Sequence, residues 1–171
     1  MPLRWTDRHF TFNVPEELFP VVVERLRGLP ARVEDKVRSL SPEVLTRRDG
    51  EAWSIQEHIG HLLDLDELHA GRLDDFLAGA PVLRAADITN RRTHEADYNR
   101  RPIAGLLRDL RRERESFVAR LEDWDPGLIS VTALHPRLQQ PMRVIDMALF
   151  VAEHDDHHLA RMTELARLAQ A

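Results

Sequence analysis

The 171-residue chain contains no cysteine, which excludes disulfides, thiolate metal sites and a cysteine nucleophile of its own. Any metal it binds must therefore be held by histidine, aspartate or glutamate. Any thiol chemistry must use a thiol that arrives with a substrate. Glycine is sparse, at 7 residues, and the sequence holds no G-x-S-x-G, no P-loop and no dinucleotide fingerprint. A serine elbow, NTP hydrolysis and NAD chemistry thus all lack their required parts. No apolar run approaches the roughly 18 to 20 residues of a membrane span, and the opening MPLRWTDRHF has no apolar signal region. The formal charge is −5, with acids and bases interleaved, so there is no basic footprint for a phosphate backbone. These absences predict a cytoplasmic protein with neither nucleic acid nor membrane as a partner.

The length and ordinary apolar fraction are those of one domain, here residues 1–171, able to bury a core without staples. Four stretches carry helical periodicity. The first runs over residues 16–40, with Leu18, Val22, Leu26, Val33 and Val37 on one side and a bend at Gly28 and Pro30. The second opens at WSIQE, where Ser54 and Glu57 have the spacing of a capping box. Its apolar row is Ile55, Ile59, Leu62, Leu65, Leu73 and Phe76, and it should end near Gly79 and Pro81.

The third stretch begins at Pro102 and continues to the WDPG at residues 124–127. The fourth starts near Pro141 and carries Val144, Met147, Ala148, Val151, Leu159, Met162, Leu165 and Ala166 on its inner face. The segment LISVTAL, residues 128–134, is too short to compete with an all-α reading. The connection over residues 78–101 is longer than a compact bundle needs, so it is either a crossover or a functional segment. As a crossover it sets helices two and three parallel, giving a four-helix bundle that runs up-down-down-up.

Chemistry concentrates in FVAEHDDHHLARM, residues 150–162. His154 and His158 are four apart, hence on one helix face about 5 to 6 Å from each other. The stripe Val144, Met147, Val151 leads directly onto them, so both imidazoles face the interior. Burying unpaired ring nitrogens costs about 1 to 3 kcal/mol each. A divalent metal satisfies them, and so does a hydrogen-bonded core pair. Helix two offers three further histidines, His58, His61 and His69. Periodicity does not choose among them, although His58 is also placed to pack on Trp53 as a hydrophobic staple.

WSIQEHIGHL followed much later by EHDDHHLARM resembles the DinB-like superfamily, the YfiT-like metal-dependent hydrolases and thiol transferases, over essentially the whole chain. The resemblance implies an up-down-down-up four-helix bundle with one histidine from helix two and an HxxxH pair from the last helix on a divalent ion. Carried over, the ligands are His61, His154 and His158. Three histidines without a fourth protein ligand make an open site, and zinc and nickel both suit neutral imidazole. The activity implied is hydrolysis, or transfer of a low-molecular-weight thiol to a small substrate. The alternative is a non-catalytic, stress-related bundle that binds a small ligand or dimerises, its metal structural or absent. The outer faces of helices one and three carry enough leucine and valine for a homodimer.

Neighbouring residues have two readings each. Asp155 follows the first ligand as the glutamate does in HExxH, where it serves as general base, but aspartate is shorter. Glu57 lies one turn before His61 and could take a proton, although the capping box already accounts for it. His157 is a second partner for His154 at i+3 or a hydrogen-bond donor behind the ligands, and the latter fits better. Gly60, inside the helix beside His61, permits close approach of another element. Trp53, Tyr98, His94, His135 and Arg137 are candidates for the mouth of the pocket.

Overall fold

The computed structural model describes residues 3–169, so the two residues at each end of the single expected domain lie outside the described residues. The first rod is built from α1 (Phe19–Arg27) and α2 (Leu29–Val37). Gly28 between them keeps a right-handed helical conformation (φ −73°, ψ −11°), and Pro30 sits in the first turn of α2. The result is the expected bent rod, preceded by a 3-10 turn at Glu16–Leu18. After the short α3 (Pro42–Thr46) comes α4 (Ile55–Leu77). Its capping box is formed: Ser54 Oγ accepts from Glu57 N at 3.1 Å, and Glu57 Oε2 accepts from Ser54 N at 2.9 Å. Past its end Gly79 takes φ +65°, the left-handed conformation in which glycine has no Cβ penalty.

The remaining elements are α5 (Arg91–Glu95), α6 (Ile103–Glu122), the strands β1 (Thr132–His135) and β2 (Gln140–Arg143), and α7 (Val144–Leu168). Two expectations are corrected here. The segment dismissed as a strand supplies β1, and Pro141 lies in β2, so the last helix starts at Val144. Pro141 is tolerated because it faces Leu134, whose backbone groups turn the other way. Leu134 N donates to Pro81 O at 2.9 Å, and Leu134 O accepts from Leu83 N at 3.0 Å. No amide hydrogen is needed at position 141. The hairpin thereby also pins the start of the crossover.

Long-range pairs give the directions of the rods. Arg25 meets Glu153 at 2.7 Å and Lys36 donates to Thr163 at 2.5 Å, so the first rod runs parallel to α7. Arg114 reaches Asp66 at 2.8 Å and Arg120 donates to Ala70 O at 2.8 Å, so α4 and α6 are parallel. Arg111 pairs with Glu34 at 2.8 Å while Arg27 pairs with Glu122, so the first rod and α6 are antiparallel. This is the up-down-down-up bundle. The crossover that it requires descends along α4: Leu83 lies at the hairpin, Thr93 reaches Asp64, the Tyr98 ring covers Gly60, and Asn99 accepts from Ser54 Oγ at 2.7 Å.

The apolar core is in two pieces. One gathers Leu26, Leu73, Phe117, Leu121, Met147 and Val151 near the hairpin; the other gathers Val33, Ile59, Leu62, Leu110 and Met162 toward the opposite end. Between them lies a buried polar layer containing Asp66, Arg114, His154, Asp155 and His158. Arg114, 1% exposed, crosses from α6 to bind both Asp66 of α4 and Asp155 of α7.

Candidate metal centre

The HDDHH segment of α7 distributes its side chains in three directions. His154 and His158, one turn apart, face α4 and meet Nε2 to Nε2 at 3.0 Å. Asp155 points into the bundle toward Arg114, whereas Asp156 pairs with Arg32 at 2.6 Å and with Arg25 on the first rod. His157 is half-buried beside Trp5, with ring centroids 5.9 Å apart. The polarity of this stretch therefore divides between one imidazole pair and two sets of ion pairs.

From α4, His61 completes the group. Its ring centroid is 4.9 Å from that of His158 and 5.4 Å from that of His154, and one donor atom from each of the three residues lies within 4.8 Å of the others. All three are buried. Nitrogens bound at about 2.0–2.1 Å to one tetrahedral ion stand about 3.3 Å apart, so closure on an ion needs His61 to approach by under about 1.5 Å.

The far side of each ring decides which nitrogen is free. Thr93 Oγ1 donates to Asp64 Oδ2 at 2.8 Å, so the same oxygen, 3.2 Å from His61 Nδ1, acts as acceptor toward the ring. His61 is thereby protonated on Nδ1, with its Nε2 lone pair left for the cluster. Asp64 is held in turn by the Tyr98 hydroxyl and by Arg92 Nε at 2.9 Å. His158 Nδ1 lies 2.7 Å from His58 Nδ1, which likewise turns His158 Nε2 inward. His154 Nδ1 is buried without a partner.

Burial also keeps the rings neutral. Desolvation pushes His61 down to about 4, with His94 adding to it, and pushes His58 down to about 3, with His61 contributing. His154 and His158 fall well below the ordinary imidazole range, first by desolvation and then by mutual repulsion with neighbouring histidines. Neutral, converging imidazoles braced from behind are a donor set that fits a divalent transition-metal ion.

The three rings form part of the wall of a cavity of about 520 Å³. Trp53 packs at 4.6 Å from His61, and Trp5 at 4.9 Å from His154. Trp53, His135 and Arg137, named from sequence, line this cavity; Tyr98, Glu57 and Asp155 do not. Tyr98 lies behind α4, where a Cβ on Gly60 would sit 2.2 Å from its ring, so Gly60 is what admits it. Glu57 is occupied by the Ser54 cap and by Arg48 at 2.9 Å, and Asp155 by Arg114. Neither carboxylate is placed to serve as a base in the cavity. His94 is exposed and packs tilted against Trp53, with ring centroids 5.6 Å apart.

His58 packs on Trp53 at 5.6 Å, as its staple position predicts, while also touching His158. His69 lines the cavity farther along α4 and is no part of the triad. Three residues escaped the sequence reading. Asp64 stands one turn beyond His61, a spacing that could have identified it as a brace, but Thr93 and Trp5 come from helical segments of five and three residues, too short to carry a periodicity that would place them.

Comparison with known proteins agrees with this architecture. Residues 25–162 match the model of the DinB superfamily. The comparison with curated proteins gave no match. Among solved structures, YfiT from Bacillus subtilis has a TM-score of 0.80 at 20% identity, over 95% of this chain and 94% of that chain. That protein is described as a probable metal-dependent hydrolase with an unusual four-helix bundle topology. The likeness establishes the fold, the family match covers most of the chain, and the protein belongs to the DinB superfamily.

Proposed function

We propose that the protein is a metal-dependent enzyme in which His61, His154 and His158 hold one divalent ion, zinc or nickel, with a position open to the cavity. The observation that carries this reading is the convergence of three buried, neutral imidazoles at the wall of a cavity large enough for a small molecule. When bound, such an ion supplies Lewis acidity, making water or a thiol a competent nucleophile near neutral pH.

The chain's own residues do the rest. Asp64 and Thr93 orient His61, and His58 orients His158. Trp5 and Trp53 wall the imidazoles from solvent. Among the described residues Asp87 is the sole carboxylate lining the cavity, and its oxygens accept from the backbone of Thr89 and Arg91. With such an ion bound, water and a thiol would each ionise near neutral pH without a carboxylate base, so the reading covers both transfer of a thiol to a small substrate and hydrolysis of the kind described for the Bacillus relative.

Elemental analysis and a cobalt-substituted protein test the reading. Close to one ion per chain is expected, removed by His154→Ala, and the visible cobalt spectrum should shift when a small thiol is added. Wild-type protein that refuses zinc, nickel and cobalt after incubation and dialysis overturns it.

A further inference from the structure

The wall of the cavity remote from the imidazoles carries donors that, among the described residues, are not all matched by acceptors. Arg72 is 2% exposed, yet it makes no ion pair among the described residues; its Nε donates to Arg84 O at 3.2 Å and its terminal nitrogens have no partner. The nearby carboxylate that could serve it, Asp75, is occupied by Arg84, which binds it through Nη2 at 2.8 Å and the backbone amide at 2.8 Å. Arg84 lies so close over Gly71 that a Cβ there would stand 2.0 Å from its guanidinium.

His135 is buried and lines the same cavity. Its Nδ1 accepts from Leu138 N at 3.2 Å, so the proton is on Nε2, and Nε2 is buried without a partner. Arg137 lies over the Phe150 ring at 5.9 Å and also makes no ion pair among the described residues. A buried guanidinium at the wall of a cavity, with no carboxylate in ion-pair contact with it among the described residues, and a buried N–H beside it are costly unless a ligand supplies a partner.

We propose that Arg72, Arg137 and the Nε2–H of His135 form a subsite for an anionic group, a carboxylate or a phosphate. The ligand of this cavity is then an acid whose charged end lies there and whose reacting end lies at His61, His154 and His158. The inference deepens the proposed function by naming the substrate class. Its geometry follows from α4: positions 61 and 72 are about 16 Å apart along the axis, and side chains lean toward the helix N-terminus. The ligand thus spans on the order of 10 Å. Electrostatics agree with an anion. Burial pushes Arg72 down to about 10, with Arg137 and Arg84 adding to it against Asp75. Burial pushes His135 down to about 3, with Arg72 and Arg137 adding to it. An anion relieves both.

Hexanoate, hexyl phosphate and hexan-1-ol are the probes, titrated calorimetrically and by fluorescence of Trp5 and Trp53, with metal-loaded and chelator-treated full-length protein. One or both anions should bind about tenfold or more tightly than the alcohol, since a charge-assisted hydrogen bond is worth that much. The tighter anion names the class. Arg72→Gln should remove the preference and leave the alcohol's affinity unchanged, whereas Arg72→Lys should retain part of it. If Arg72→Gln does not fold, Arg137→Gln decides, and undiminished anion affinity in it overturns the proposal. Equal binding of acid and alcohol by the wild type also overturns it. So does a preference that survives Arg72→Gln but disappears with chelation, because the anion then docks on the metal. A wild type that takes up no metal but still prefers the acid refutes the metal-enzyme reading and leaves the subsite standing.

Discussion

Replacing Thr93 by valine tests whether the triad is held by its surroundings or only by its own helices. The two side chains are nearly the same shape, so packing is kept while one hydroxyl is lost. That hydroxyl is the link between Asp64 and His61, donating at 2.8 Å to the first and standing 3.2 Å from Nδ1 of the second. In Thr93→Val the His61 N–H has no acceptor, and a buried donor left unpaired costs about 1 to 3 kcal/mol. The ring is then free to flip or to change tautomer, and its Nε2 lone pair no longer points at His154 and His158 by default. Loss of such a brace behind a metal-ligating histidine lowers metal affinity by about 10- to 100-fold, or about 1.4 to 2.7 kcal/mol.

The assay is competition for zinc against a chromophoric chelator, with far-UV circular dichroism to verify the helices. Thr93→Ser, which restores the hydroxyl, should recover most of the affinity. Asp64 remains held by Tyr98 and Arg92 in the variant, so the fold should survive. Affinity within about twofold of wild type in a folded Thr93→Val protein, well below the range expected of a bracing contact, would refute the reasoning.

His58→Ala should retain one ion per chain but bind it about tenfold more weakly, because His58 braces His158 without belonging to the triad; the same zinc competition measures it. Arg114→Met leaves Asp66 and Asp155 buried without their cation and should destabilise the protein by about 3 to 5 kcal/mol in urea unfolding, whereas a surface ion pair would give under about 1. Gly60→Ala gains about 1 kcal/mol of helix propensity but drives a methyl into the Tyr98 ring at a cost of about 1 to 3 kcal/mol, so unfolding should show no gain and a net loss of up to about 2 kcal/mol. Metal-free protein should lose stability on acidification. The folded imidazoles are depressed, His61 to about 4, so their contribution is complete above the unfolded value of about 6.5 and is lost as pH falls from there toward 4. Asp66, raised to about 6, and Asp155, also raised, both chiefly by burial, act in the opposite sense but are two groups against several depressed imidazoles, so the urea midpoint should be lower at pH 5 than at pH 7.5.

Much of the bundle was legible because helical periodicity is a statement about burial. The rows through Ile59 and Leu62, and through Met147 and Val151, are core rows in the structure. The Ser54 cap fixed the start of α4 through two local hydrogen bonds that need no tertiary context. The hairpin was not legible for the opposite reason. Pro141 argues against a strand when only its own backbone is considered, and what removes the objection is the distant Pro81 and Leu83 binding the outward face of Leu134. In the site, spacing alone paired His154 with His158, yet it could not separate His58, His61 and His69. That choice depends on Thr93, which approaches from a crossover whose path is set by Tyr98 settling on Gly60.

The same contrast explains why Asp155 misled. Its place in sequence imitates a catalytic carboxylate, but a residue one step along a helix is turned about 100° away. At position 155 that rotation carries the side chain from the cavity to the bundle axis, where Arg114 waits from the diagonal helix. The polar layer is therefore two structures back to back. One is an arginine with two carboxylates that closes the centre of the bundle; the other is a set of neutral imidazoles open to a cavity. The first makes the second possible: with Asp155 and Asp66 drawn to Arg114, no carboxylate among the described residues contacts the three imidazoles to favour their protonated form, and their lone pairs remain free for an ion.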